Sequence, residues 1–189
     1  MSKIFEPQVI NPILTGFIEE LITTKGNLAA TKPAEIATKP IDVFEGRMRI
    51  KGIDLFEVPV YVAAVSFYLN QGDMQGHRAR GAMACYMDIE VADKIFKAAG
   101  LQVPYDEDDE SMMGLCGSLS KLIADALKDR LAAAGYTSLM VSNPSVYKNS
   151  IAGGVDFSKD QNEKQEISFY FLKHKALVID WTMAPIPKK

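Results

Sequence analysis

The predicted elements of this chain occur in the same order twice, and this repetition constrains the fold more than any other feature of the sequence. A long amphipathic helix, a strand that contains a proline, and a β-hairpin follow one another from Pro7, and again from about Asp106. The two strand prolines are Pro33 and Pro144. Sequence similarity between the halves is faint, so the order of elements alone indicates a weak internal duplication. It predicts an α+β fold in which two long helices cover one face of a single central antiparallel sheet.

The first half begins with a helix over residues 7–24, where apolar doublets recur every four residues. Lys25-Gly26-Asn27 provides the stop signal. The strand around Pro33, over residues 31–38, is expected at an edge or at a bulge because proline cannot donate to a sheet. Three more strands are predicted over residues 45–53, 57–69 and 77–88, and the last two form a hairpin. A short helix is predicted over residues 89–99 and stops at Gly100.

The second half begins with five consecutive acids, Asp106 to Glu110. A metal site is one interpretation, but carboxylates also favour a helix N-terminus, where they cap free N–H groups, and this second interpretation is preferred. The helix is predicted to end at Gly135, with a core-facing stripe of Leu115, Leu119, Leu122, Ile123, Ala126, Leu127 and Leu131. The rest is predicted as strands over residues 137–142, 166–172 and 176–183, turns at Pro144 and Gly153-Gly154, a core Trp181, and a frayed tail over 185–189.

Composition excludes several classes of protein. A length of 189 residues favours one domain over residues 1–189, and a net charge of −3 with five arginines lacks the basic footprint of a nucleic-acid binder. No apolar run is long enough to span a membrane, and the first eleven residues carry no basic-then-apolar signal pattern. Cys85 and Cys116 lie in apolar stretches and are expected to be buried, reduced thiols of a cytoplasmic protein.

Motifs for common catalytic chemistry are missing from the sequence. His77 and His174 are the two histidines, and each lies near a predicted turn, where a surface role is expected. Neither Cys-x-x-Cys nor His-Glu-x-x-His spacing occurs, and no glycine-rich phosphate loop occurs. We therefore predict no metal and no cofactor.

The outer face of the second long helix is the most informative surface. Gly114, Ser118, Lys121, Asp125 and Lys128 follow at spacings of four, three, four and three residues, which places them in one exposed row. One interpretation is a solvated face with an ion pair between Lys121 and Asp125, worth a few tenths of a kcal/mol. The other is a binding surface.

Several runs of the sequence resemble the CheC/CheX family of chemotaxis phosphatases, and most of all its CheX branch. Each run is moderately specific alone, but they follow one another in the family's order over nearly the whole chain. The runs are Val9 to Leu14, Met87 to Lys94, Gly117 to Lys128, Gly135-Tyr136, and Ser142 to Val146.

The resemblance implies an α+β fold with a central antiparallel sheet and two long helices on one face. It implies phosphorylated CheY, a response-regulator receiver, as the partner. The family's signature is Asp or Ser, three residues, Glu, two residues, Asn, 22 residues and Pro. Counting back from Pro144 places Lys121 at the Asn position, Ser118 at the Glu position and Gly114 at the leading position, so only the proline matches.

The departure from the signature affects the expected chemistry. The family's Asn is thought to orient the attacking water, whereas a lysine ammonium has donors only. Ser118 is too short to replace the Glu side chain. We therefore expect a module that docks a receiver through Gly114, Ser118, Lys121 and Asp125 without hydrolysing its phosphate by the family's route.

The alternative function is a phosphatase that acts on phosphorylated CheY or a related regulator through other residues. Candidates are Glu107, Asp109, Glu110 and Asn143. The first helix has no Glu-x-x-Asn pair, and its outward residues are expected to be Asn11, Thr15, Glu19 and Thr23. A third possibility is a structural module that dimerises through exposed strand edges, as the resemblance to CheX would imply.

Overall fold

The computed structural model describes residues 4–189, so the first three residues of the expected domain lie outside the described residues. The helices are α1 (Pro7–Ile18, continued by a π-helical segment, Glu19–Lys25), α2 (Gln71–Gln75), α3 (Ala92–Ala98) and α4 (Asp109–Ala133). The strands are β1 (Ala30–Pro40), β2 (Val43–Phe44), β3 (Arg47–Lys51), β4 (Val60–Tyr68), β5 (Gly81–Asp88), β6 (Met140–Val141), β7 (Ser145–Lys148), β8 (Ser150–Val155), β9 (Glu163–Phe171) and β10 (His174–Met183). No helix in this part of the chain is both long and apolar enough to cross a membrane.

The large sheet is antiparallel and has the strand order β1-β9-β10-β5-β4-β6, with β7 also paired to β4. The two hairpins, β4–β5 and β9–β10, meet at the centre through β5 and β10. Each hairpin is extended by strands of the other half, since β1 adds to β9, and β6 and β7, which flank Pro144, add to β4. The large antiparallel sheet, together with the long helices, confirms the predicted α+β fold.

The expectation of a single sheet was wrong, because β2, β3 and β8 form a second, three-stranded sheet. It covers the face of the large sheet opposite the helices, where Val62 and Ala64 of β4 pack with Met48 and Ile50 of β3. The predicted turn at Gly153-Gly154 is in fact part of β8. A Cβ at Gly154 would lie 2.2 Å from the backbone oxygen of Met48, so glycine is needed for the two strands to approach.

The helices cover the other face of the large sheet, as predicted. Alternate residues of β4, including Ala63 and Val65, point to this side and pack in one core with Leu14 of α1 and Ile123 of α4. Both faces of β4 are therefore buried, which accounts for its nearly continuous apolar sequence.

Asn11 was predicted to point outwards from the first helix, and this was wrong. Its side chain is 8% exposed, accepts a hydrogen bond from Trp181 Nε1 at 2.8 Å, and donates one to Gln165 Oε1 at 3.2 Å. Trp181 is fully buried in the core, as predicted. Asn11 thus satisfies the indole N–H that burial of this tryptophan would otherwise leave unpaired.

Both expectations for the strand around Pro33 are confirmed, because β1 is an edge strand and its register with β9 shifts on either side of Lys32. The predicted frayed tail was wrong. Ile186 is 5% exposed, and the backbone N–H of Thr137 donates to the carbonyl of Pro187 at 2.8 Å. Burial of Ile186 thus fastens the C-terminal segment to the end of α4.

Candidate functional site

An open groove of about 590 Å³ lies between the outer face of α4 and the segment that joins β6 to β7. The four residues predicted to bind a partner, Gly114, Ser118, Lys121 and Asp125, all line it. The remaining lining residues are Leu101, Gly117, Leu122, Asn143, Pro144 and Val146. The predicted row is therefore one wall of an accessible concave surface and does not lie beneath another element.

The acidic run positions the helix that forms this wall. Asp108 is the N-cap of α4, and its Oδ1 accepts the backbone N–H of Ser111 at 2.9 Å. Hydrogen bonding by the side chain and then the backbone of Ser111 lowers the pKa of the Asp108 carboxyl. Asp109 accepts hydrogen bonds of 2.8 Å from Lys148 Nζ and from the Tyr61 hydroxyl, and both lower its pKa. The helix-start interpretation of these acids is confirmed, and within residues 4–189 none of them belongs to a cluster with metal-binding spacing.

Gly117 lets α4 lie close to the opposite wall of the groove. A Cβ at this position would be 2.8 Å from Val146 Cγ1 and 3.4 Å from Pro144 Cγ. At Gly114, one turn earlier, a Cβ would have no neighbouring atom within 4 Å. The two glycines therefore differ in role, since Gly117 sets the spacing of the walls and Gly114 leaves the groove open at one end.

Lys121 and Asp125 form the ion pair that the spacing predicted. Lys121 Nζ donates to Asp125 Oδ1 at 2.6 Å and to Oδ2 at 2.7 Å, and Lys128 Nζ lies 3.7 Å from Oδ1. The side chains of Lys121 and Asp125 are 36% and 37% exposed, so solvent screens the pair and its net strength is small. The ammonium of Lys121 can therefore exchange Asp125 for another anion at little cost.

Ser118 lines the groove, but its hydroxyl is bonded within its own helix. Its hydroxyl donates to the backbone oxygen of Gly114 at 3.1 Å, a bond within one helical turn. The single proton of this hydroxyl is therefore engaged within α4, whereas the Lys121 ammonium can turn from Asp125 to another anion. The ammonium can hold an anion, but it has no lone pair with which to accept a hydrogen bond from a water molecule.

The sequence pattern missed the apolar rim of the groove. Leu122 was predicted to face the core, but it is 41% exposed and lines the groove with Leu101. The helical period carries the correct signal, because Leu122 follows Ser118 by four residues and so lies on the same face. An exposed leucine beside a cation is suited to contact with a protein surface.

Of the alternative catalytic candidates, the structure brings Asn143 alone into this groove. Asn143 is exposed, and its side chain makes no hydrogen bond within the described residues. Glu107 and Glu110 are exposed outside the groove, and Asp109 is engaged by Tyr61 and Lys148.

The two cysteines take no part in this site. Cys85 and Cys116 are free and buried, as predicted. Burial raises the pKa of the Cys85 thiol to about 12 and that of Cys116 well above its usual value, so neither forms a thiolate at neutral pH.

Among comparisons with known proteins, only those of three-dimensional structure find matches to this chain. No protein-family model matches the chain, and no curated protein sequence matches it. A CheC-like superfamily protein from Shewanella sp. PV-4 superposes with a TM-score of 0.61 at 16% identity, over 94% of this chain and 97% of that one. The chemotaxis protein CheX from Desulfovibrio desulfuricans gives 0.56 at 12% identity, over 93% and 99%. A structure of the CheX–CheY–BeF3–Mg²⁺ complex from Borrelia burgdorferi gives 0.51 at 12% identity, over 97% and 100%. The resemblance found in the sequence is therefore confirmed for the fold, and this chain has the fold of the CheC-like and CheX proteins.

Proposed function

We propose that this protein is a chemotaxis or two-component signalling module of the cytoplasm that docks a CheY-like receiver domain in the groove beside α4. We further propose that it does not hydrolyse the receiver's aspartyl phosphate by the CheC/CheX mechanism. The observation that carries the proposal is the accessible groove with Lys121 and Ser118 at the two signature positions.

The shared fold supports the choice of partner. One structure with this fold contains CheX together with CheY and a BeF3 group. The buried free thiols Cys85 and Cys116 are consistent with a reducing compartment, in which receiver domains act.

The charge at the groove supports binding of an anionic site. A phosphoryl group carries more charge than a carboxylate and offers several acceptor oxygens, so it competes well with Asp125 for Lys121 Nζ. The exchange breaks only a solvent-screened pair whose atoms lie 2.6 Å apart. We therefore expect the phosphorylated form of the receiver to bind more tightly than the unphosphorylated form.

The same groups do not support hydrolysis. Phosphoryl transfer depends on positioning of the nucleophile and on electrostatic stabilisation. Lys121 can contribute charge, but it cannot accept a hydrogen bond from an attacking water. Loss of one positioning group costs on the order of a hundredfold in rate or more.

A binding titration tests the docking proposal. A CheY-like receiver from the same organism is titrated with this protein, with and without beryllofluoride and Mg²⁺. We expect tighter binding in the beryllofluoride state, and we expect Lys121→Ala to remove that difference. Lys128→Ala is the matched control, because Lys128 also contacts Asp125 but does not line the groove. Absence of binding by the wild-type protein in both states would contradict the proposal.

A phosphatase that uses Asn143 is the second candidate, because this amide lines the same groove and bonds to no other described residue. An amide can both donate to and accept from water, as the family's Asn does. The test is the release of phosphate from a phosphorylated receiver. If the wild type and Lys121→Ala release phosphate and Asn143→Ala does not, the second function is favoured over the first.

A further inference from the structure

Three metal-ligating side chains meet at the end of the sheet, outside the groove. Asp88 is the last residue of β5, Glu90 lies in the turn that follows it, and His174 is the first residue of β10. β5 and β10 are neighbouring strands at the centre of the sheet, and the pair Met87 and Leu177 lies next to this end. The turn that follows β5 thus meets the start of β10, in the β9–β10 hairpin.

The distances among the three groups are those of a partly assembled metal site. His174 Nδ1 lies 3.2 Å from Asp88 Oδ2 and 3.9 Å from Glu90 Oε2, and one ligand atom from each residue lies within 4.8 Å of the others. Ligand atoms around a tetrahedral zinc ion are about 3.3 Å apart, as bond lengths near 2.0–2.1 Å require. The Glu90 side chain is 57% exposed and has room to close the small remaining difference.

The two carboxylates of the cluster have no lysine or arginine partner among the described residues. The Asp88 side chain is only 5% exposed, and its Oδ1 is held by the backbone N–H of Glu90 at 2.8 Å, which leaves Oδ2 directed at His174. A buried carboxylate is costly unless a cation is near.

We propose that Asp88, Glu90 and His174 bind one divalent transition-metal ion, with Zn²⁺ the best-suited ion. An imidazole nitrogen with two carboxylate oxygens is a donor set that zinc accepts, and water fills the remaining position. Mg²⁺ and Ca²⁺ prefer oxygen ligands alone and bind more weakly here. The bound ion cross-links the turn before α3 to the β9–β10 hairpin and so connects the two halves of the chain.

The other histidine provides a contrast within the same chain. His77 Nδ1 lies 2.8 Å from Asp156 Oδ2, a shorter contact than that of His174 with Asp88. Asp156 is already paired with Arg47 Nε at 3.1 Å, and no third ligand joins this pair among the described residues. The two histidines therefore differ in the number of ligands around them and in whether their carboxylate partner also pairs with an arginine.

Zinc titration of the untagged, chelator-treated chain by calorimetry tests the site. We expect one equivalent of Zn²⁺ to bind, at least about tenfold weaker binding in His174→Gln, and unchanged binding in His77→Gln. Glu90→Gln is a second variant. Because the Glu90 side chain is exposed, the substitution is expected to leave the fold intact, and it too is expected to weaken zinc binding. Circular dichroism verifies that each variant is folded.

A spectroscopic readout locates the ion. The chain has two histidines, so its imidazole NMR signals are assigned by the two variants, and zinc is expected to shift the His174 signals alone. Absence of zinc binding by the wild-type protein at about 1 mM metal, or equal affinity of wild type and His174→Gln, would overturn the proposal. Equal shifts of both histidines would overturn it as well. None of these outcomes depends on whether a receiver binds in the groove.

Discussion

Substitution of Gly117 by alanine tests whether close contact between α4 and the opposite wall builds the groove. The new Cβ would lie 2.8 Å from Val146 Cγ1 and 3.4 Å from Pro144 Cγ. Both neighbours are stiff, because the β-branched side chain of valine is restricted at χ1 and the proline ring is closed. The walls must therefore separate by several tenths of an ångström.

The free energy of unfolding is expected to respond in two opposite ways. Alanine is favoured over glycine within a helix by about 1 kcal/mol, whereas overpacking costs about 1–3 kcal/mol. Gly114→Ala isolates the first effect, because a Cβ there has no neighbouring atom within 4 Å. We expect Gly114→Ala to be more stable than the wild type by about 1 kcal/mol, and Gly117→Ala to be less stable than Gly114→Ala by about 1–3 kcal/mol.

Urea denaturation of the two variants and the wild type measures these differences. Helix propensity cancels between the two alanine variants, so their difference reports the steric contact alone. Receiver affinity is expected to fall in Gly117→Ala, since the groove walls move. Equal stability of the two variants would refute the claim that Gly117 sets the spacing of the groove.

Three further predictions concern the scaffold. Asn11→Ala leaves the indole N–H of Trp181 without its partner and is expected to lower the free energy of unfolding by about 1–3 kcal/mol, measured by denaturation followed through tryptophan fluorescence. Lys148 and the neighbouring tyrosine hold the pKa of Asp109 below its ordinary 3.8, so the stability that this carboxylate contributes is present above that value and is lost as the pH falls through the folded-state pKa. Asp109→Asn should therefore lower stability at neutral pH and have little effect in strong acid, as denaturation at the two pH values would show. The free edge of β1 carries Ile36, which is 49% exposed, and we expect a dimer through this edge that Ile36→Lys weakens; a wild-type monomer in sedimentation equilibrium would contradict this expectation.

Periodic apolar patterns predicted the helices and the large sheet because burial on one face imposes a period on the sequence. The second sheet escaped prediction, since its strand β8 contains Gly153-Gly154, a pair that ordinarily marks a turn. Close approach of the backbone to Met48 requires glycine here, and only the three-dimensional structure reveals such a contact.

The candidate site was predicted in part for a similar reason. The spacing of Gly114, Ser118, Lys121 and Asp125 on one helix determines that they share a face, so their alignment followed from the sequence. The opposite wall lies some twenty residues further along the chain, and the proposed metal site joins Asp88 to His174 across 86 positions. Pairings of this kind depend on strand order, which no local pattern encodes.

Restoring the two missing side chains tests the central claim most directly. The lifetime of phosphate on a phosphorylated CheY-like receiver is measured alone, with the wild-type protein, and with the double variant Ser118→Glu and Lys121→Asn. We predict that the wild type leaves the lifetime unshortened, whereas the double variant shortens it, because in the proposed complex the groove presents these positions to the receiver. Rapid hydrolysis by the wild type, or no gain by a folded double variant, would contradict a docking groove that lacks only its catalytic pair.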